Sequence, residues 1–363
     1  MKDIQLVEVK KYDYIDALRG IAVLLTLLIH TGHFGNNSFP SFFDKFINAG
    51  GYGVQLFYVL SALTLYLSMS KRSSSEKNPT LNFFIRRFFR IAPLFYITVV
   101  LYFFLNKSDP RFYESVTNGN LLGLTLTTLT FTNSFNPYWI NSIVPGGWSV
   151  AIEMLFYTLL PAIFLFICNL NRSLWLLLFS LVTAVISSFL FQKFCIIPEV
   201  GIKSTFLYVN FLSQLPVFAI GIVLFFALSK NNLEANLSTP LFLLLLLAYL
   251  AVTYGLLAEH ILFAFVFSAL AYYASFFSEK IIINRVTVFI GKISFSVYLL
   301  HHLVLIILER LGFVSYTGKQ ITDFGIRYVL TVLLSVLLSY VTYRFIEIPG
   351  MNLGKKLILY FEK

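Results

Sequence analysis

Ten stretches of the chain are apolar almost without interruption: about 18–34, 53–70, 88–105, 148–168, 174–191, 205–228, 240–257, 259–278, 287–309 and 325–347. A helix needs roughly 17–25 apolar residues to cross a hydrocarbon core of about 30 Å. The pattern therefore predicts an all-α, polytopic integral membrane protein with about ten transmembrane helices. The runs at 240–257 and 259–278 meet at Ala258-Glu259, which predicts a tight hairpin. An eleventh stretch, 121–131, is apolar but short and rich in threonine, and is read as a re-entrant or interfacial segment. There is no fixed-period repeat and no pair of broken spans of the kind many transporters show. Loops are short apart from roughly 106–147, so residues 1–363 are read as one membrane-embedded domain.

Composition narrows the class further. Apolar residues make up 58% and charged residues 12%, against about 25% charged in an ordinary soluble domain. Such a chain has too little polar surface to cover itself in water and too much apolar surface to stay disordered. The net charge of +10 matters through its position. With the N-terminus inside and ten spans, 19 of the 27 basic residues fall in or beside inner loops and 8 on the outer side. That bias predicts both termini in the cytoplasm, and it removes any need for a nucleic-acid partner. The two cysteines, Cys168 and Cys195, form neither a disulfide framework nor a zinc site. No small-residue cleavage site follows the first apolar run, so that run is read as a retained span.

Ionisable groups inside such spans are costly and are read as functional. Arg19 and His30 are eleven residues apart on the first span, close to three helical turns, and so share a face. The rise carries His30 about 16 Å beyond Arg19, toward the middle of the bilayer. His33 lies one turn further on. No third imidazole or thiol has matching spacing, so no metal is expected. Glu153 is the one acidic residue well inside a predicted span, and Ser149, Glu153 and Tyr157 follow at i, i+4 and i+8 on one polar face. Its depth puts it within reach of His30. The segment Phe83-Phe-Ile-Arg86-Arg87-Phe-Phe-Arg90 interleaves guanidinium groups with aromatics. It reads either as an anion site, since guanidinium forks suit phosphate oxygens, or as headgroup anchoring. His301 and His302 lie deep in a late span. Gly50, Gly51 and Gly53 read as close-packing positions.

Taken in order, these motifs resemble the integral-membrane acyltransferase 3 family. The resemblance rests on Arg19 with His30, Gly53-Val-Gln-Leu-Phe-Tyr-Val-Leu-Ser61, Arg87-Phe-Phe-Arg90, and Trp148-Ser149 with Glu153. It extends to Ser294-Phe-Ser-Val-Tyr298-Leu-Leu-His301 and the closing Tyr343-Arg-Phe-Ile-Glu347-Ile-Pro349, and so spans residues 13 to 349. Two departures stand out: Ala62 where the family commonly has glycine, and His302 as an extra histidine.

The resemblance implies a multi-pass enzyme of the bacterial plasma membrane that moves an acyl group, usually acetyl, from cytoplasmic acyl-CoA to a carbohydrate hydroxyl. It implies that His30 is catalytic; Glu153, from its own placement, is read with it as a catalytic residue that orients the imidazole or holds the sugar. Arg19 and the Arg87/Arg90 pair match the family's arginines on the CoA side, and Arg86, read with them from the sequence, would join them in holding the acyl-CoA donor. Trp148, Ser149, Tyr157, Ser61 and His301 would support the acceptor side. Acyl-CoA is expected as a substrate, with no permanently bound cofactor. Some relatives carry a C-terminal extracytoplasmic esterase-like domain, which is not expected here. Besides the lipid bilayer and the carbohydrate acceptor, a separate extracytoplasmic transferase or polysaccharide-synthesis proteins are the expected partners. The rival reading is a carrier for a polysaccharide precursor, which would also want charge at mid-membrane.

Overall fold

The computed structural model describes residues 12–35, 39–105, 121–140, 143–194, 200–229, 258–276, 280–313 and 315–362. Every regular element among them is helical. The first seven are α1 (Asp13–Gly32), α2 (Ser41–Ala49), α3 (Gly53–Arg72), α4 (Pro79–Leu105), α5 (Leu121–Leu129), α6 (Gly147–Phe166) and α7 (Leu170–Phe194). The rest are α8 (Val200–Val209), α9 (Phe211–Ala227), α10 (Glu259–Phe276), α11 (Arg285–Lys292), α12 (Ser294–Arg310), α13 (Gln320–Thr342) and α14 (Ile348–Glu362).

Eight helical stretches among the described residues are long and apolar enough to cross a membrane, and α11 with α12 makes a ninth if the pair is one span. The fold is that of a polytopic helical membrane protein. The run at 240–257 and Cys195 lie outside the described residues. One expectation changes. The run at 287–309 is not one straight rod: α11 and α12 meet at 80° beside Ile293. Asn284 starts α11 with a full capping box, accepting from the Thr287 amide at 3.0 Å. The segment near 121–131 forms α5, whose nine residues span about 13 Å and are too short to cross.

Helix α13 shows why this bundle suits lipid and not water. Its positions 327, 331, 335 and 339 recur every fourth residue, and Arg327, Thr331, Ser335 and Ser339 are all buried. The opposite face exposes Val329, Leu333, Leu337 and Tyr340. A soluble helix would be built the other way round. Small polar residues at a helix interface with apolar residues outside are the membrane pattern. Helix α7 likewise turns Trp175, Phe179, Ile186 and Phe189 outward.

The site-bearing helices are held close by glycine. A Cβ on Gly53 would come within 2.4 Å of the Ala22 carbonyl oxygen, so α3 and α1 touch through backbone. Ala62, the departure noted above, is fully buried and faces Gly221 of α9. A Cβ there would lie 2.7 Å from that of Ala62 and 2.4 Å from the Val59 carbonyl oxygen, so space yielded by one helix is taken by the other. Gly221→Val is expected to lower stability by about 1–3 kcal/mol through overpacking, measured as the unfolding transition in detergent. A Gly221→Val variant as stable as wild type would show that the α3–α9 contact relaxes freely.

Candidate active site

A cavity opens between α1, α3, α4, α6 and α12. Seven of the residues singled out from sequence line it: Arg19, Ser61, Arg87, Arg90, Ser149, Glu153 and Tyr157. The four-residue spacing on α6 does place Ser149, Glu153 and Tyr157 on this one face. Glu153 Oε1 accepts hydrogen bonds from the Ser61 hydroxyl and, at 2.7 Å, from the Tyr157 hydroxyl. Among the described residues no hydrogen bond joins Glu153 to His30; the carboxylate belongs to the arginine side of the site.

The cations of this cavity differ in how far they are satisfied. Arg19 donates to the Thr64 hydroxyl at 3.0 Å and lies 3.8 Å from Asp16. Arg87 stacks near Phe83 and Tyr157, 5.8 and 6.0 Å from the ring centres. Its Nε is buried with no hydrogen-bond partner among the described residues. Three guanidinium groups against one carboxylate make a site that favours an added anion. Arg19 also lines a second cavity with Tyr12, Ser68, Lys71 and Arg72, so a basic path leads from the rim inward.

Arg86 is not part of this group. It makes a bidentate pair with Glu76, at 2.8 and 3.1 Å, and Arg72 reaches the same carboxylate at 3.2 Å. Asn82 links Glu76 (3.1 Å) to Glu362 at the end of α14 (2.6 Å), so the pair ties the α3–α4 turn to the C-terminal helix. Burial raises the Glu76 carboxyl, but hydrogen bonds from Arg86, Asn82 and Arg72 outweigh it and hold the group below its ordinary value. A carboxyl lowered on folding stabilises above its unfolded value, and that contribution fades as pH falls through the lowered folded value. Thermal stability is therefore expected to drop below pH 5 by about 1 kcal/mol from this group, and Glu76→Gln should remove that part of the acid slope.

The histidines form a separate cluster. His30 of α1 lies with its ring centre 5.1 Å from that of His301 and 4.4 Å from that of His302, both on α12. The spacing argument, which looked only to His33, missed these two because they arrive from the far end of the chain. His33 instead bonds Asn48 at 2.7 Å. Tyr298 joins the two halves. It lines the arginine cavity, and its ring centre lies 5.9 Å from that of His301. Its hydroxyl is 2.7 Å from that of Ser149, and both reach the Gly146 carbonyl at 3.0 Å. Sequence singled out Tyr298 only as part of a motif. Trp148, by contrast, turns away from the cavity, with its ring 6.1 Å from that of Tyr208.

The two late motifs also touch. Ser296 donates to the buried Glu347, and Thr342 bonds Ser296 at 3.1 Å. The π turn Tyr343–Glu347 thereby fixes the base of α12, which carries His301 and His302.

The chain is 24% identical over 374 residues to O-acetyltransferase OatA of Staphylococcus aureus, with the same figures for strains NCTC 8325, COL and MRSA252. These alignments cover 96% of this chain and 58% of each relative, so the chain spans less than two thirds of their length. No solved structure matches it. The family model described as an acyltransferase domain matches residues 12–344. That match takes in α1 through α13 and the first two residues of the π turn, with every cavity-lining residue and all three clustered histidines, and the chain belongs to the acyltransferase 3 family.

Proposed function

We propose that this chain transfers an acyl group, most simply acetyl, from acyl-CoA on the cytoplasmic side to a carbohydrate hydroxyl at the plasma membrane. The observation that carries the reading is the division of the site into an arginine cavity and a histidine cluster on either side of Tyr298. The phosphates of the donor sit on Arg19, Arg87 and Arg90, arriving past Lys71 and Arg72. The pantetheine arm runs beside α1, whose eleven residues from Arg19 to His30 rise about 16 Å. His30 then takes the proton from the acceptor hydroxyl as it attacks the thioester carbonyl, or first carries the acyl group itself. Coenzyme A leaves as the thiol. His301 sits behind His30, and Glu153, held by Ser61 and Tyr157, orients groups on the cavity side. The resemblance to a named O-acetyltransferase supports acetyl as the group moved.

Proteoliposomes holding the purified protein, supplied with acetyl-labelled acetyl-CoA and a polysaccharide acceptor, test the reading. Label is expected in the glycan with stoichiometric release of free coenzyme A. Transport of a labelled glycan precursor without any consumption of acyl-CoA would replace this reading with that of a carrier.

A further inference from the structure

We propose that His30, His301 and His302 form a binding site for one divalent transition-metal ion of the zinc class, and that the bound ion switches acyl transfer off by taking the lone pair of His30. One nitrogen from each ring lies within 4.8 Å of the others. Two of the ligands are neighbours on α12 and the third comes from α1, so the site exists only once these helices pack.

His301 is already set up as a ligand. Its Nδ1 donates to the Val297 carbonyl at 3.2 Å, which leaves the lone pair on Nε2. That Nε2 is buried with no hydrogen-bond partner among the described residues. A metal-bound histidine typically anchors its second ring nitrogen on just such a carbonyl. Three imidazoles without thiolate or carboxylate suit zinc and its neighbours, and three protein ligands leave a fourth position open. Zinc–nitrogen bonds are about 2.0–2.1 Å, so binding would draw the three nitrogens, now within 4.8 Å of one another, in around the ion. His302 is what makes the set three: it is the extra histidine of this sequence, and the transfer chemistry gives it no task.

The binding half stands without the acyl-transfer reading; the switching half rests on it. The probe is zinc itself. Metal-stripped protein in detergent is dialysed against zinc with no acyl donor present, and the metal bound is counted. One zinc per chain is expected in wild type, with affinity lowered about 10–100-fold in His302→Leu and His302→Gln and unchanged in His33→Ala. Cobalt substitution should give the visible bands of a four-coordinate site. Binding far below one per chain, or equal affinity in wild type and both well-folded His302 variants, overturns the site.

Transfer is then measured with and without zinc, each variant against its own metal-free rate. Zinc should slow wild type at least about tenfold, reversibly by chelator, and leave His302→Leu within about twofold. A wild type that binds zinc yet transfers at an unchanged rate overturns the switch. Because binding is counted without donor, a failure there is separate from a failure of acyl transfer in metal-free protein.

Discussion

His30→Ala is expected to reduce transfer of acetyl to the glycan by about 10²–10⁴-fold, the range for losing a positioned general base. The loss should fall on kcat. The KM for acyl-CoA should stay within about threefold, because the donor's charged end is held some 16 Å away along α1 and makes no use of the imidazole. Wild type and variant are compared in the same proteoliposomes, with helix content and unfolding temperature measured alongside. Label trapped on wild-type protein and absent from His30→Ala would place the acyl group on the imidazole during turnover. A variant that folds normally and keeps more than about a tenth of the rate would remove His30 from the chemistry.

How far the sequence revealed this site depended on the range of the signal. Within one helix the periodicity was sufficient: Ser149, Glu153 and Tyr157 line one cavity as their spacing implies. Hydropathy places the ends of helices poorly. The run read from residue 88 begins at Pro79, because arginines lower the apolar count while the helix continues through them. The run read from 325 begins at Gln320 for a similar reason. Asp323 there accepts from Thr317 and Ser315, so a charged residue is held inside the first turn.

What spacing cannot show is which helices meet. Nothing in the sequence around His30 indicates that His301 and His302 will stand against it, and a reading limited to local ligands settles on His33, which faces Asn48. The 80° break at Ile293 is similarly silent, since no proline marks it. It follows from a capped helix packed on α1 joining one that runs into the bundle. Arg86 shows the opposite side of the same limit. Alternation with Arg87 and Arg90 made three arginines look alike, and only the fold separates the one that is paired with Glu76.

That separation gives the second large effect. Arg87→Ala and Arg90→Ala are each expected to raise the KM for acetyl-CoA about 10–100-fold, the loss of one charge-assisted contact worth about 1.5–3 kcal/mol. Arg86→Ala should leave that KM within about twofold, since its guanidinium is spent on a carboxylate outside the cavity. Arg90→Lys should recover only part of the loss, keeping the charge but not the fork that grips a phosphate. Adenosine 3′,5′-bisphosphate, which carries the charged end of the donor without its thioester, should compete with acetyl-CoA in wild type and lose potency in the Arg87 and Arg90 variants. Arg86→Ala has its own signature, a lower unfolding temperature with the Glu76 acid slope removed, because it breaks the link between the α3–α4 turn and α14. Equal KM changes for Arg86→Ala and Arg90→Ala would move the donor out to the rim. Unchanged KM in both cavity variants would mean that the three converging cations hold something other than coenzyme A.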